Sequence, residues 1–183
     1  PAGADAWMFQ DLLALSASAG CPPDPFSLLG QRWGLPPTIP RRHRASGYAL
    51  LRETLRHNAA HAGALRIDHA LSLWRLFWIP EGVSAAAGAY VKERPEELLA
   101  LLRGLSHEHG CLIVGEDLGT IPPEVREGLM SSGLYSYRLA IFERDNDGRC
   151  RRPPAYPRQA LVSVSTHDLP TLDGFWQGTD LTV

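Results

Sequence analysis

Two kinds of apolar pattern alternate along the chain. From Ser46 to about His61 the residues Tyr48, Leu51, Leu55 and Ala59 recur at helical spacing, which predicts a helix with one buried face. The next run, Ala64-Leu65-Arg66-Ile67-Asp68-His69, is short and ends on ionisable residues. A helix from about Leu71 to Phe77 is expected to stop at Pro80, with Leu71, Trp74 and Trp78 on its packing face. A longer helix covers about Pro95 to Glu108, and Gly110 ends it before the run Cys111-Leu112-Ile113-Val114-Gly115-Glu116. Pro122 and Pro123 open another helix through about Met130. A third short run spans Ser136 to Phe142, a polar, proline-containing loop covers Glu143 to Arg158, and a fourth run spans Ala160 to Thr166. Short apolar runs alternating with helices predict parallel βαβ units. With no internal repeat, low-complexity tract or linker, one α/β architecture is expected to cover the chain.

The segment before Ser46 reads differently. A short helical pattern around Trp7 to Leu15 gives way to Pro22, Pro23, Pro25, Gly30, Gly34, Pro36, Pro37 and Pro40, which exclude regular helix or a central strand and predict a long ordered loop.

Three acids stand at or just beyond the C-terminal ends of the short runs: Asp68, Glu116 and Asp168. In parallel α/β folds the loops at that end converge, and chemistry is placed there. Arg66 and Asp68, two apart on a strand, share a face, so the guanidinium would keep the carboxylate ionised and oriented, as a nucleophile requires. Glu116 follows an apolar strand and precedes Asp117, so desolvation and a nearby negative charge would favour its protonated form, as a proton donor requires. Taken singly, Asp68 could cap the helix near Leu71, Arg66 with Asp68 could be a structural ion pair, and Glu116 and Asp117 could be loop acids in water. Together the three read as one acidic cleft.

Composition narrows the partners. The 183 residues hold 18 Lys and Arg against 20 Asp and Glu, a formal charge of −2 that gives no reason to expect nucleic acid or a membrane surface. Apolar residues make up 44% and charged residues 21%, and no apolar stretch is long enough to span a bilayer, so a globular chain is expected. Cys21, Cys111 and Cys150 are odd in number and lack CxxC spacing, which argues against a disulfide scaffold and for a reducing, cytoplasmic setting. His57 and His61 stand at i, i+4 and His107-Glu108-His109 lies farther on, but the HExxH glutamate is missing and both clusters fall away from the acids. They read as surface histidines, and no metal or cofactor is expected.

The wording around the acids resembles the 4-α-glucanotransferases, also called amylomaltases or disproportionating enzymes, of glycoside hydrolase family 77. The markers are Pro22-Pro23-Asp24-Pro25-Phe26-Ser27 with Gly30-Gln31-Arg32-Trp33-Gly34, then Ala64 to His69, Gly115-Glu116-Asp117-Leu118-Gly119-Thr120 and Thr166-His167-Asp168-Leu169-Pro170-Thr171. The resemblance implies a retaining enzyme that moves a segment of an α-1,4-glucan to the 4-hydroxyl of an acceptor, with Asp68 as nucleophile, Glu116 as general acid/base and Asp168 as transition-state stabiliser. It further implies that Arg66, His69 and His167 bind the sugar at the cleavage point, and that Asp24, Gln31 and Trp33 lie in a loop over the glucan, where Phe26 and Trp33 would stack on sugars and exclude water. Maltooligosaccharides and α-1,4-glucans are the implied partners. Oligomeric state is left open. An α-glucan hydrolase of the same barrel class, a non-catalytic glucan-binding fragment and a metal-dependent hydrolase at His57 and His61 are the competing readings.

The implied fold is α/β, a partial (β/α)8 TIM barrel. A whole barrel needs eight strands and about 250 residues. Residues 1–183 are therefore expected to form part of one catalytic barrel domain, about strands 4 to 7, incomplete at both ends, with a long substrate-covering loop near the N-terminus.

Overall fold

The computed structural model describes residues 4–25 and 27–178; Phe26 lies outside them. In chain order the elements are α1 (Ala4–Met8), β1 (Ala17–Cys21), β2 (Gln31–Arg32), α2 (Pro40–Ala45), α3 (Ala49–Ala59), β3 (Ala64–Ile67), β4 (Arg75–Pro80), β5 (Ala89–Lys92), α4 (Pro95–His109), β6 (Leu112–Gly115), α5 (Pro123–Ser131), β7 (Tyr135–Leu139), β8 (Ala160–Ser163) and α6 (Leu172–Gln177). Short 3-10 turns lie at Ala70–Leu73, Ala85–Ala87 and Pro153–Ala155.

The four short runs become one parallel sheet in the order β3-β6-β7-β8. Its crossover helix α4 forms where the sequence supplies each signal. Pro95 occupies the first turn, Glu96 and Glu97 complement the positive end of the helix dipole, and Gly110 closes the helix at φ 60°. Leu98, Leu99, Leu102 and Leu105 form its buried stripe. They pack with Leu55 of α3, Val125 and Leu129 of α5 and Ile113 of β6 in the main core, each fully buried side chain contributing about 1.5–3 kcal/mol. On the other face of the sheet Val114, Tyr137, Leu139 and Ile141 form a second cluster.

A second sheet, antiparallel and in the order β2-β1-β4-β5, was not anticipated. Where a helix is expected over Leu71 to Phe77, only the turn Ala70–Leu73 is helical, and Arg75–Pro80 is a strand paired with both β1 and β5. Two periods compete in this stretch. Leu71, Trp74 and Trp78 satisfy the helical spacing, but within Arg75–Pro80 it is Phe77 and Ile79, two apart, that are buried, with less buried residues between and beside them. Trp74 does enter the main core, from the end of the turn, and it packs so close to Gly128 of α5 that a Cβ there would lie 2.5 Å from its ring. Strand β1 fits between its neighbours because Gly20 has no side chain: a Cβ would meet the Gln31 carbonyl oxygen at 2.0 Å. The described residues of the proline-rich segment are thus ordered, as expected, but they are anchored by strand β1, by α2 and by a Leu13–Thr38 bridge. The helix expected around Trp7 to Leu15 ends at Met8 and continues as turns.

The β4–β5 hairpin is inserted between β3 and α4, in the connection that leaves the C-terminal end of β3. This brings the antiparallel sheet to the end of the parallel sheet where the acids stand. No described helix is long and apolar enough to cross a membrane.

Candidate active site

Register sets the first two acids side by side. Ile67 of β3 is the partner of Gly115 of β6, so Asp68 and Glu116 leave adjacent parallel strands at the same level. The chain then turns sharply at His69, a non-glycine residue in the left-handed region at φ 46°, ψ 57°. Such a conformation costs about 1–3 kcal/mol and persists only where surrounding bonds hold it. Here they are identifiable. The Glu116 amide donates to the Ile67 carbonyl (2.9 Å), the Ala70 amide to the Glu116 carbonyl (2.9 Å), and the His69 amide to Glu116 Oε2 (2.9 Å). The Leu118 amide donates to Glu116 Oε1 at 2.8 Å, so both carboxylate oxygens are gripped by backbone. A carboxylate oxygen has lone-pair capacity left to meet a further group.

Asp68 is exposed and paired with Arg66, Nη1 to Oδ1 at 2.7 Å. It does not cap the following turn, whose N-cap is His69. The Arg66 guanidinium lies 5.3 Å from the centroid of the Tyr137 ring on β7, within cation–π range.

Asp117 departs from expectation. It is neither a solvated loop acid nor a charge facing Glu116; it is fully buried. Adjacent residues at a strand end point to opposite faces, and Asp117 turns to accept from Ser136 Oγ (2.5 Å), the Tyr137 amide (2.9 Å) and Arg138 Nη1 (3.1 Å). Arg126 Nε stands 3.4 Å from the same carboxylate. Its charge is spent on these partners, and what it does is fasten the end of β6 to β7.

His69 joins the acids to the antiparallel sheet. The Trp33 ring meets the His69 ring edge-on, centroids 5.0 Å apart at 76°. Burial pushes the His69 imidazole below its ordinary pKa, against the pull of Glu116 and Asp68, and its buried Nε2 has no protein partner. Gln31 Oε1 accepts from Trp33 Nε1 at 3.1 Å, which steadies the indole. A cavity of about 420 Å³ lies under this contact, with Trp33, Pro36, Asp68, His69 and Trp78 in its wall. A larger hollow of about 1170 Å³ lies at the opposite ends of β6 and β7, between α4 and α5, away from the acids.

The remaining residues are spread wider. Asp24 stands in the β1–β2 connection, where its Oδ1 accepts from the Ser27 amide at 2.6 Å. Asp168 lies in the loop between β8 and α6, two strands along from Glu116, with His167 Nε2 3.2 Å from its Oδ2; both side chains are exposed. The structure therefore gathers Arg66, Asp68, His69, Glu116, Trp33 and Gln31, and it sets Asp168 with His167 on the same sheet end. Of the expected surface histidines, His57, His61 and His107 are exposed, but His109, at the end of α4, is half-buried with its Nε2 enclosed; no cluster of three or more metal-type ligands occurs among the described residues. Sequence reasoning missed Tyr137, although its place on the strand after Glu116, inside Ser136-Tyr137-Arg138, marked it as a neighbour of the cleft.

A family model described as 4-alpha-glucanotransferase, of glycoside hydrolase family 77, matches residues 1–182. The chain belongs to this family. Among curated family members, the 4-alpha-glucanotransferase of Haemophilus influenzae is 46% identical over 178 residues, covering 97% of this chain and 25% of its own length. That of Mycobacterium tuberculosis is 42% identical over 182 residues with the same coverage. Among solved structures, the amylomaltase from Corynebacterium glutamicum superposes with a TM-score of 0.93 at 37% identity, over 100% of this chain and 26% of the other. The amylomaltase from Streptococcus agalactiae, solved in complex with acarbose, gives 0.82 at 25% identity over 94% of this chain and 36% of its own. The chain thus spans about a quarter of the length of the first relatives it matches.

Proposed function

We propose that the protein containing this chain is a 4-alpha-glucanotransferase that moves a segment of an α-1,4-glucan to the 4-hydroxyl of an acceptor glucan by a retaining double displacement. The observation that carries the reading is the bond from the His69 amide to Glu116, which binds the strand end bearing Asp68 to the one bearing Glu116 and makes them one site. In this reading the four parallel strands are about the fourth to seventh of a (β/α)8 barrel, residues 1–183 are part of its catalytic domain, and the antiparallel sheet with the loop from Asp24 to Trp33 covers the glucan.

The chemistry follows from two carboxylates in different settings. Asp68, oriented by Arg66, attacks the anomeric carbon while Glu116 gives its proton to the departing glycosidic oxygen. A covalent glucosyl-enzyme forms and the shortened glucan leaves. Glu116 then takes the proton of an acceptor 4-hydroxyl, whose oxygen displaces Asp68 with net retention. Asp168 and His167 hydrogen-bond ring hydroxyls of the distorted sugar, more strongly in the transition state than in the ground state. His69, edge-on to Trp33 and next to Asp68, forms part of the wall against which the sugar is held. Trp33 and His69 shield the covalent ester from water, which favours transfer over hydrolysis. The sequence calls on no metal or cofactor, and maltooligosaccharides serve as both donor and acceptor.

Full-length protein given maltotriose should release glucose together with longer maltooligosaccharides; glucose and maltose alone would identify a hydrolase. Asp68→Asn should form no covalent intermediate. Glu116→Gln should still react with a glycosyl fluoride, whose leaving group needs no protonation. Equal rates for both variants and the parent would refute the assignment.

A further inference from the structure

One side chain that neither the motifs nor the proposed chemistry uses touches both halves of the acidic site. Tyr137 is buried at the centre of the parallel sheet. Its ring lies beneath the Arg66 guanidinium that pairs with Asp68, and its backbone amide is fixed by Asp117. Its hydroxyl points the other way along the sheet and shares a 2.8 Å hydrogen bond with Ser163 Oγ, at the end of β8.

The direction of that bond can be worked out. A serine hydroxyl has one proton, and Ser163 Oγ donates it to the Ser165 carbonyl at 3.0 Å. Tyr137 is therefore the donor to Ser163. Ser165 Oγ in turn donates to the Pro170 carbonyl at 2.8 Å, closing the loop that carries Asp168. A continuous path then runs from Asp68 through Arg66, the Tyr137 ring, its hydroxyl, Ser163 and Ser165 to the two ends of the Asp168 loop.

We propose that Tyr137 is a positioning residue that sets Asp68 and Asp168 relative to one another, its ring seating Arg66 and its hydroxyl anchoring the Asp168 loop. The proposal rests on the roles assigned above to those two carboxylates. It predicts separable effects. Tyr137→Phe keeps the seat and loses the anchor; Tyr137→Leu loses both.

The test uses full-length protein and a maltosyl fluoride whose non-reducing 4-hydroxyl is blocked, so that it can label the enzyme but cannot act as acceptor. In labelling, a bond forms from a carboxylate oxygen of Asp68 to the anomeric carbon and the carbon–fluorine bond breaks, releasing fluoride. Mass spectrometry gives the labelled fraction and its rate. Tyr137→Phe should label about fivefold more slowly, the loss of one hydrogen bond, and Tyr137→Leu on the order of a hundredfold more slowly, the scale of a misplaced reacting group. Final labelled fractions should match the parent, and KM for maltotriose should move less than kcat. Ser163→Ala, which removes the Tyr137 bond and also the bond to the Ser165 carbonyl, should slow labelling at least as much as Tyr137→Phe, and the double variant should be no slower than Ser163→Ala alone, since the Tyr137 hydroxyl then has no anchor left to lose. Parental labelling rates in the variants, additive losses in the double variant, or fewer labelled sites at an unchanged rate would each overturn the proposal, the last by reducing Tyr137 to a folding role. A parent that takes no label would instead overturn the functional reading beneath it.

Discussion

Replacing Asp117 by alanine removes the acceptor at the centre of a buried network, and the structure allows the loss to be worked out. Asp117 is fully buried, and Arg138, with a side chain 11% exposed, donates to it at 3.1 Å. Truncating one partner of a buried ion pair costs about 3–5 kcal/mol, because the other charge is left uncompensated. Arg138 keeps a longer contact, Nε to Glu143 at 3.7 Å, which argues for the lower end. Ser136 Oγ and the Tyr137 amide each lose their acceptor as well, at about 1–3 kcal/mol for a buried donor left bare. These terms share one site and do not add in full, so a loss of about 4 kcal/mol is expected for Asp117→Ala. Asp117→Asn retains an acceptor for the Tyr137 amide and should lose about 2 kcal/mol. Urea unfolding of full-length protein, followed by tryptophan fluorescence, measures both. Adding Arg138→Met to Asp117→Ala should restore part of the stability, since no buried charge then stands alone. A loss below about 1 kcal/mol for Asp117→Ala, or no recovery in the double variant, would refute the account of Asp117 as a buried fastening.

Two further outcomes are expected. Trp33→Ala removes from the cavity wall the indole that, on the function proposed above, stacks on the glucan. Taking such a ring contact as about 0.5–1.5 kcal/mol, KM for maltotriose should rise by about three- to tenfold and the share of donor lost to water should increase; steady-state kinetics with product analysis would refute this if both stayed at parental values. Burial pushes the Glu93 carboxyl up to about 7 from 4.5, so the folded state holds a proton the unfolded state releases, and stability falls as pH rises between those values. Glu93→Gln should therefore unfold at higher urea than the parent at pH 8, by about 1–2 kcal/mol once partial exposure is allowed for, with no gain at pH 4; equal gains at both would exclude titration of Glu93 as the cause.

The parallel sheet and the helices α3, α4 and α5 were legible because their signals are local. An apolar run bounded by Gly110 and Glu116, or leucines at 98, 99, 102 and 105 between Pro95 and Gly110, needs no distant partner to be read. The antiparallel sheet was not legible, for physical reasons. β1 is built from Ala17 to Cys21, small residues with little strand preference, and β2 has two residues. Both exist because β4 and Gly20 provide a partner and a close fit, and β4 itself was masked by tryptophans at helical spacing. At the site, Asp68 with Arg66 and the level placement of Glu116 followed from strand alternation and register. Alternation also dictates that Glu116 and Asp117 face opposite ways, and applying it there would have found the buried role of Asp117. The grip of the His69 amide on Glu116 could not be foreseen, because it depends on a left-handed turn at a histidine.

The two sheets differ greatly in how much they bury. The main core draws on α3, α4, α5 and β6, whereas the antiparallel sheet has a cluster of only Phe77, Ile79 and Ala85 among the described residues. Its strands are also distant in the chain, Ala17 pairing with Pro80. Late assembly and early opening are the kinetic marks of such a unit, since loop closure must precede its contacts and few apolar contacts hold it afterwards. The acids Asp68 and Glu116 are fixed by the parallel sheet, but Trp33 reaches His69 only while the antiparallel sheet is closed. On the function proposed above, breathing of that sheet would open the cavity beneath Trp33 and His69 without disturbing the carboxylates, a side entrance for a long glucan that leaves the reacting groups in register.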